Sequence, residues 1–167
     1  MKKLTAILAI LAALSLALSV SAAAYSVRRT EEAIDALGDI KYDTDSQQRL
    51  DTAIEYYDAL DTNIHLDERV DSAALDAAKQ EYVRLAIRTA VVLDQRKAAD
   101  GNTDEEIIAA IEAARTAVDG YCAAPVCEQI ANYADLAELE ARYTAPQAAV
   151  TDSSPASSGG DEEIQLC

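Results

Sequence analysis

Phenylalanine and tryptophan are absent from this chain, histidine occurs once, and only five glycines and three prolines punctuate its 167 residues. With so few breakers, the chain reads as helix and not as a sandwich or barrel. The missing large aromatics leave eight tyrosines as the whole aromatic load, and alanine supplies much of the apolar half. One histidine and three cysteines leave no second Cys or His pair to complete a zinc site. Positive charge is also scarce. Fourteen Lys and Arg face thirty Asp and Glu, a net charge of −16. Removing the first 24 residues, which hold two lysines and no acid, leaves −18. Such a field repels nucleic acid and anionic membrane surfaces. It favours solubility, weak cation condensation or a basic partner.

What is present begins with an export pattern. Lys2 and Lys3 precede an uncharged stretch from Leu4 to Ala24 rich in Leu, Ile and Ala, which exits through Val20-Ser21-Ala22 and Ala22-Ala23-Ala24. A basic start, an apolar middle and small residues at the exit describe a secretory signal peptide over residues 1–24. An uncleaved anchor is the alternative, because the stretch is nearly long enough to span and Arg28-Arg29 flank it. No cysteine follows the cleavage region to be acylated, and no second apolar span or sorting tail follows. The expected location is secreted or at the cell surface.

Periodicity then sets out the helices. Thr30 is expected to be an N-cap, with Glu31 and Glu32 in the first turn, an Ile34 and Leu37 stripe, and Gly38 as the stop. A cap at Asp43 or Thr44 opens a second helix carrying Leu50, Ala53, Ile54, Tyr57 and Leu60, which Asp61-Thr62-Asn63 breaks. From about Asp67, a stripe of Val70, Leu75, Ala78, Tyr82, Leu85, Ala86, Thr89 and Leu93 meets no Gly or Pro until Gly101. The spacing predicts a single helix of roughly seven to eight turns there. Thr103-x-x-Glu106 is a capping box ahead of Ile107, Ile108, Ile111, Ala114 and Val118, with Gly120 as the expected stop. A turn with Cys122, Pro125 and Cys127 leads to Ile130, Tyr133, Leu136, Leu139 and Tyr143. Beyond Thr144 the Pro, Ser, Gly, Ala and acid composition predicts a disordered acidic tail over residues 144–167.

Two stretches superpose at an offset of 61 without a gap: Asp43, Ala53, Asp58, Ala73, Leu75 and Tyr82 recur as Asp104, Ala114, Asp119, Ala134, Leu136 and Tyr143. A fixed period signals architecture. The expected fold is all-α, two tandem three-helix modules over residues 30–85 and 86–143 that share a long central helix. Ala33-Ile34-Asp35-Ala36-Leu37-Gly38, Asp45-Ser46, Tyr57-Asp58-Ala59-Leu60 and Asn132-Tyr133-x-x-Leu136-x-x-x-Glu140-x-x-Tyr143 resemble the short helical modules of exported Gram-positive surface proteins. They are similar in kind to the FIVAR-like three-helix modules of wall-attached adhesins. The resemblance implies a spacer or binding stalk with no catalytic residues to transfer. The chain departs from that pattern in its Cys-flanked turn, in having two modules, and in lacking a wall-sorting signal.

Candidate chemistry is sparse. Cys122 and Cys127 do not have C-x-x-C redox spacing, and across an export route a local disulfide pinning the turn is the expected role. Two free thiols at a helix end are the alternative, and Cys167 is left over. Asp100-Gly101-Asn102-Thr103-Asp104 begins like half of a calcium loop, but Glu105 stands where glycine belongs and Ile111 where the bidentate Glu belongs. Capping explains those residues better. His65 reads as a solvated turn residue without a base or ligand partner. The acid pairs Asp58 with Asp61 and Asp67 with Asp71 suit helix ends. Tyr57, Tyr82, Tyr133 and Tyr143 fall on apolar stripes. Tyr25, Tyr42, Tyr56 and Tyr121 are less clearly internal, and an exposed cluster of them is the expected contact patch. No catalytic residue, metal or cofactor is expected. The functional expectation is an exported, non-enzymatic interaction or spacer module whose partner is a protein or cell-surface ligand. An N-terminal or accessory part of a larger surface protein is the alternative, and an enzyme the rival class.

Overall fold

The computed structural model describes residues 22–122 and 126–144. Among them every regular element is helical. Helix α1 covers residues 22–35. It is followed by α2 (Thr44–Asp58), α3 (Ala73–Gln95), the single-turn α4 (Lys97–Asp100), α5 (Asp104–Tyr121) and α6 (Tyr133–Thr144), with 3₁₀ turns at Thr62–Ile64, Asp67–Arg69 and Cys127–Gln129. The signal region over residues 1–21, Pro125, the tail beyond Thr144 and Cys167 lie outside the described residues. None of the helices is long and apolar enough to cross a membrane among the described residues.

The all-α expectation holds, and α3 is central to the packing. It packs against α2, α5 and α6, most extensively against α5. At the offset of 61, α2 lies over α5, the start of α3 lies over α6, and residues 22–34 lie over 83–95, the second half of α3. Burial follows the same register. Leu50 and Ile111, Ala53 and Ala114, Leu66 and Cys127, Leu75 and Leu136, and Ala78 and Leu139 are all buried in one continuous core. Small residues on the facing helices, among them Ala86 and Ala90 on α3 and Ala114 and Ala117 on α5, let the backbones approach closely. Tight helix contact takes the place of large aromatic side chains.

Several local expectations need correction. Thr30 is not an N-cap: the helix starts at least eight residues earlier, and Thr30 is almost fully buried inside it. Its hydroxyl lies 3.0 Å from the Ser26 carbonyl oxygen and 3.1 Å from that of Tyr56, a bond a mid-helix threonine makes in place of capping. The run Ala22-Ala23-Ala24, read as a cleavage site, is also a run of the strongest helix former.

Helix α3 is shorter than expected, 23 residues or roughly six turns. The Asp71 carboxylate accepts the Ala73 N–H at 3.0 Å and starts the helix after a 3₁₀ turn at Asp67–Arg69. At the far end the Asn102 amide donates to the Leu93 carbonyl at 3.0 Å, taking over one of the helix's terminal acceptors. Gly120 does not stop α5, which runs on to Tyr121 and is capped at Cys122. Positive φ belongs instead to Gly38 (55°) and Gly101 (72°), which end α1 and α4 in the left-handed region that glycine enters at least cost.

Candidate functional site

The tyrosines of the loop before α2, of mid-α3 and of the end of α5 meet on one face of the bundle. Each is placed by a local device. Asp43 caps α2 by accepting the Ser46 N–H at 2.8 Å, while the Ser46 hydroxyl accepts the Lys41 N–H at 3.1 Å. The guanidinium of Arg49 donates to the Leu37 carbonyl and, at 3.2 Å, to that of Ala36. The turn just past α1 is thereby tied to α2. These bonds hold residues 41–43 against α3 and set Tyr42 beside Tyr82. The Thr103 capping box, with the Glu106 carboxylate accepting the Thr103 N–H at 2.8 Å and the Thr103 hydroxyl accepting the Glu106 N–H at 3.2 Å, fixes the start of α5, whose far end carries Tyr121.

The ring centroids of Tyr42 and Tyr82 are 5.3 Å apart in a tilted pair, and those of Tyr82 and Tyr121 are 5.4 Å apart edge to face. Both are favourable quadrupole geometries. The Tyr121 hydroxyl donates to Asp51 Oδ1 at 2.6 Å, and the Tyr82 hydroxyl lies 3.4 Å from Gln47 Oε1. Tyr82 is buried and forms the floor; Tyr42 and Tyr121 are the walls. Together with Gln47, Asp51 and Thr116 they line a groove of about 540 Å³ between α2 and α5. Burial raises all three phenols above their ordinary values. For Tyr82 the neighbouring Tyr42, Asp51 and Asp43 add to it, and for Tyr121 the bond to the Asp51 carboxylate does.

Across Tyr121 and Gly120 lies a second depression of about 540 Å³ that holds Asp58, Asp76 and Asp119. Asp58 and Asp119 are counterparts at the offset of 61, and each sits in the last turn of its helix, where the dipole is already negative. Neither α2 nor α5 has a basic residue in its last turn. Among the described residues the only cation lining this depression, Lys79, lies 3.7 Å from Asp76. The face is therefore acidic on one side of Tyr121 and aromatic with a carboxylate on the other.

The remaining candidate residues are placed elsewhere. Cys122 and Cys127 form a disulfide with Cα atoms 5.5 Å apart, at the end of α5 beside Tyr121. Cys127 is buried in the slot that Leu66 fills in the first unit. The half calcium loop is taken up by capping and ion pairing: Asp100 faces Arg96 at 3.1 Å, Asp104 pairs with Lys97, and no cluster of acids, Cys or His that could hold a metal occurs among the described residues. His65 is exposed at φ 55°, with Nδ1 3.0 Å from Glu68 Oε1. Asp58 ends α2, Asp61 caps the following 3₁₀ turn and Asp71 starts α3.

Of the four tyrosines not assigned to the core, Tyr42 and Tyr121 join the cluster, Tyr25 stands exposed, and Tyr56 lies under Arg29, whose guanidinium carbon is 3.8 Å from the ring centroid. Tyr82 was expected only as core. Its role as a floor arises from three segments far apart in sequence, which no local spacing signals. No protein-family model matches this chain, and no significant match to a curated protein or to a solved structure was found.

Proposed function

We propose that the chain is an exported, non-enzymatic helical interaction module of the bacterial surface or extracellular medium, similar in kind to the three-helix modules of Gram-positive adhesins. The observation that carries this reading is the Tyr42–Tyr82–Tyr121 groove: tyrosine is enriched where proteins meet partners, and here three of them line an open recess on a small bundle. Among the described residues the two depressions are lined mainly by tyrosines, acids and small residues, and the sole histidine lies in another turn. Export is supported by the basic, apolar and small-residue order of the first 24 residues. Cleavage there leaves α1 with Val27, Thr30 and Ile34, which pack into the bundle.

The test is expression of the full chain in a Gram-positive host, with intact-mass measurement of the extracellular protein and binding of the purified mature form to intact cells. The expected result is a secreted species lacking roughly its first 22–24 residues that is retained on cells in a saturable manner. A full-length cytoplasmic protein that binds no cell-surface component overturns the reading.

A further inference from the structure

Two tyrosines of this bundle already carry a cation. Arg29 lies over Tyr56, and Lys97 Nζ is 5.6 Å from the Tyr143 ring centroid. Around Tyr143 the arrangement is complete: its hydroxyl donates to Asp94 Oδ1 at 2.6 Å, and Lys97 is ion-paired to Asp104. Ring, carboxylate and cation occur together. Tyr143 is the counterpart of Tyr82 at the offset of 61. Around Tyr82 the rings and the carboxylate are again present, as Tyr42, Tyr121 and Asp51, yet none of the described residues lining this groove is basic. Asp51 is exposed and engages Tyr121 through Oδ1, while Oδ2 accepts no bond from the described residues. Beyond Tyr121, the acids of the second depression and the C-terminal ends of α2 and α5 extend the negative field.

We propose that this groove docks a basic peptide segment, one Arg or Lys side chain of which lies against the Tyr42 and Tyr121 rings with its charge facing Asp51. A second basic side chain of the same segment reaches past Tyr121 toward Asp58 and Asp119. A peptide fits better than an isolated amine because the two depressions share the Tyr121 and Gly120 edge and together form an elongated surface. Arginine suits it best: its planar guanidinium stacks on an aromatic face while its N–H groups reach a carboxylate. The net charge of −16 steers such a segment in and keeps nucleic acid out. The proposal rests on the interaction-module reading, but its test does not depend on export.

The experiment titrates the mature protein, by isothermal calorimetry and amide chemical shifts, with the peptide acetyl-Gly-Arg-Gly-Gly-Arg-Gly-amide at ~0.15 M salt, where long-range attraction is screened. The same peptide with both Arg replaced by Gln, and chitotriose as a neutral glycan, are run beside it. The arginine peptide is expected to shift Tyr42, Asp51 and Tyr121, and the glutamine peptide to leave them unmoved. Tyr42→Ala and Asp51→Asn should each weaken binding about threefold to fivefold, and Glu138→Gln, which removes the same charge from an exposed position on α6, should not. Asparagine at 51 still accepts the Tyr121 hydroxyl, so this variant reports on charge if Tyr42→Ala disturbs the fold. Equal weakening by Glu138→Gln and Asp51→Asn would mean diffuse polyanion attraction and overturns the proposal. So does equal binding of the glutamine peptide, or binding of chitotriose in preference to the arginine peptide. Peptide failure in a secreted, cell-binding protein overturns the groove assignment alone; peptide binding by a cytoplasmic protein overturns export alone.

Discussion

Gly120→Ala separates two conformations of the end of α5 by the sign of its effect. If Gly120 ended the helix in the left-handed region, as its position after Val118 and Asp119 suggests from sequence, a β-carbon there would cost about 1–2 kcal/mol. In the structure Gly120 is helical and has no positive φ, and a β-carbon built on it meets no atom within 4 Å. Alanine is then favoured by up to about 1 kcal/mol through its lower unfolded-state freedom and higher helix propensity, and by nearer 0.5 kcal/mol this close to a helix end. A melt followed by circular dichroism should show Tm rising by about 2–3 °C. Gly38→Ala is the matched control. Gly38 has φ 55°, and its β-carbon would lie 3.5 Å from Arg49 Nη1, an ordinary contact, so the penalty is one of backbone strain. Its Tm should fall by about 4–8 °C. A fall for Gly120→Ala comparable to that for Gly38→Ala refutes the helical assignment, and with it the placement of Tyr121 on α5.

Four further outcomes follow from the packing. Ala86→Pro removes a backbone donor in the middle of α3 at a buried position and should cost about 3 kcal/mol or more; because α3 serves both units, the protein should still melt in one transition, and a second, unshifted transition in calorimetry would argue against the shared helix. Leu75→Ala and Leu136→Ala, counterparts that are both fully buried, should each cost about 2–5 kcal/mol in urea unfolding, and a loss below 1 kcal/mol at either contradicts its core placement. Reduction of the Cys122–Cys127 disulfide, which closes a short loop, should cost about 2 kcal/mol in the chain-entropy model and lower Tm by several degrees; freely alkylated thiols in native secreted protein would remove the effect. Tyr42, Tyr82 and Tyr121 have phenols raised above the ordinary value near 10, so the stability they contribute is intact below that pH and is lost as pH rises above it. An ultraviolet titration should show a late-ionising class of tyrosine that Tyr121→Phe diminishes.

Fold class was legible because helix, caps and register are local. The capping box at Thr103 and Glu106 appears in the structure as both of its bonds, and the offset of 61 reappears as matched burial of Leu50 with Ile111 and Leu75 with Leu136. Helix faces were less legible. Val83, Ile87 and Ala90 lie off the expected stripe yet are fully buried, because a helix packed by neighbours on several sides has no single apolar face for a 3.6-residue period to reveal. The start of α1 was misread for another reason: Thr30 with two following acids satisfies the rule for a cap, but its hydroxyl finds partners inside a helix equally well. The groove was visible only in part. Sequence marked Tyr42 and Tyr121 as candidates for a patch but assigned Tyr82 to the core, and both are true of a floor that is buried by the walls standing on it.

The asymmetry between the two units explains why the groove lies where it does. In the second unit, Tyr143 near the C-terminal end of α6 is closed over by groups from α3 and α4: Asp94 takes its hydroxyl and Lys97 approaches the ring, while Arg142, beside Tyr143 on α6, meets the same Asp94 carboxylate at 2.6 Å. The carboxylate and the lysine come from the end of α3 and the short helix after it. The corresponding residues for Tyr82 are Ala33 in α1 and Ala36 in the turn after it, at the positions of Asp94 and Lys97. Neither can accept a hydroxyl or supply a charge. Tyr82 instead takes Tyr42 and Tyr121 as ring neighbours, one from the loop before α2 and the other from the end of α5, and these also hold Asp51 at the rim through the Tyr121 hydroxyl. With alanine at both positions, the first unit has an open aromatic site where the second is internally satisfied.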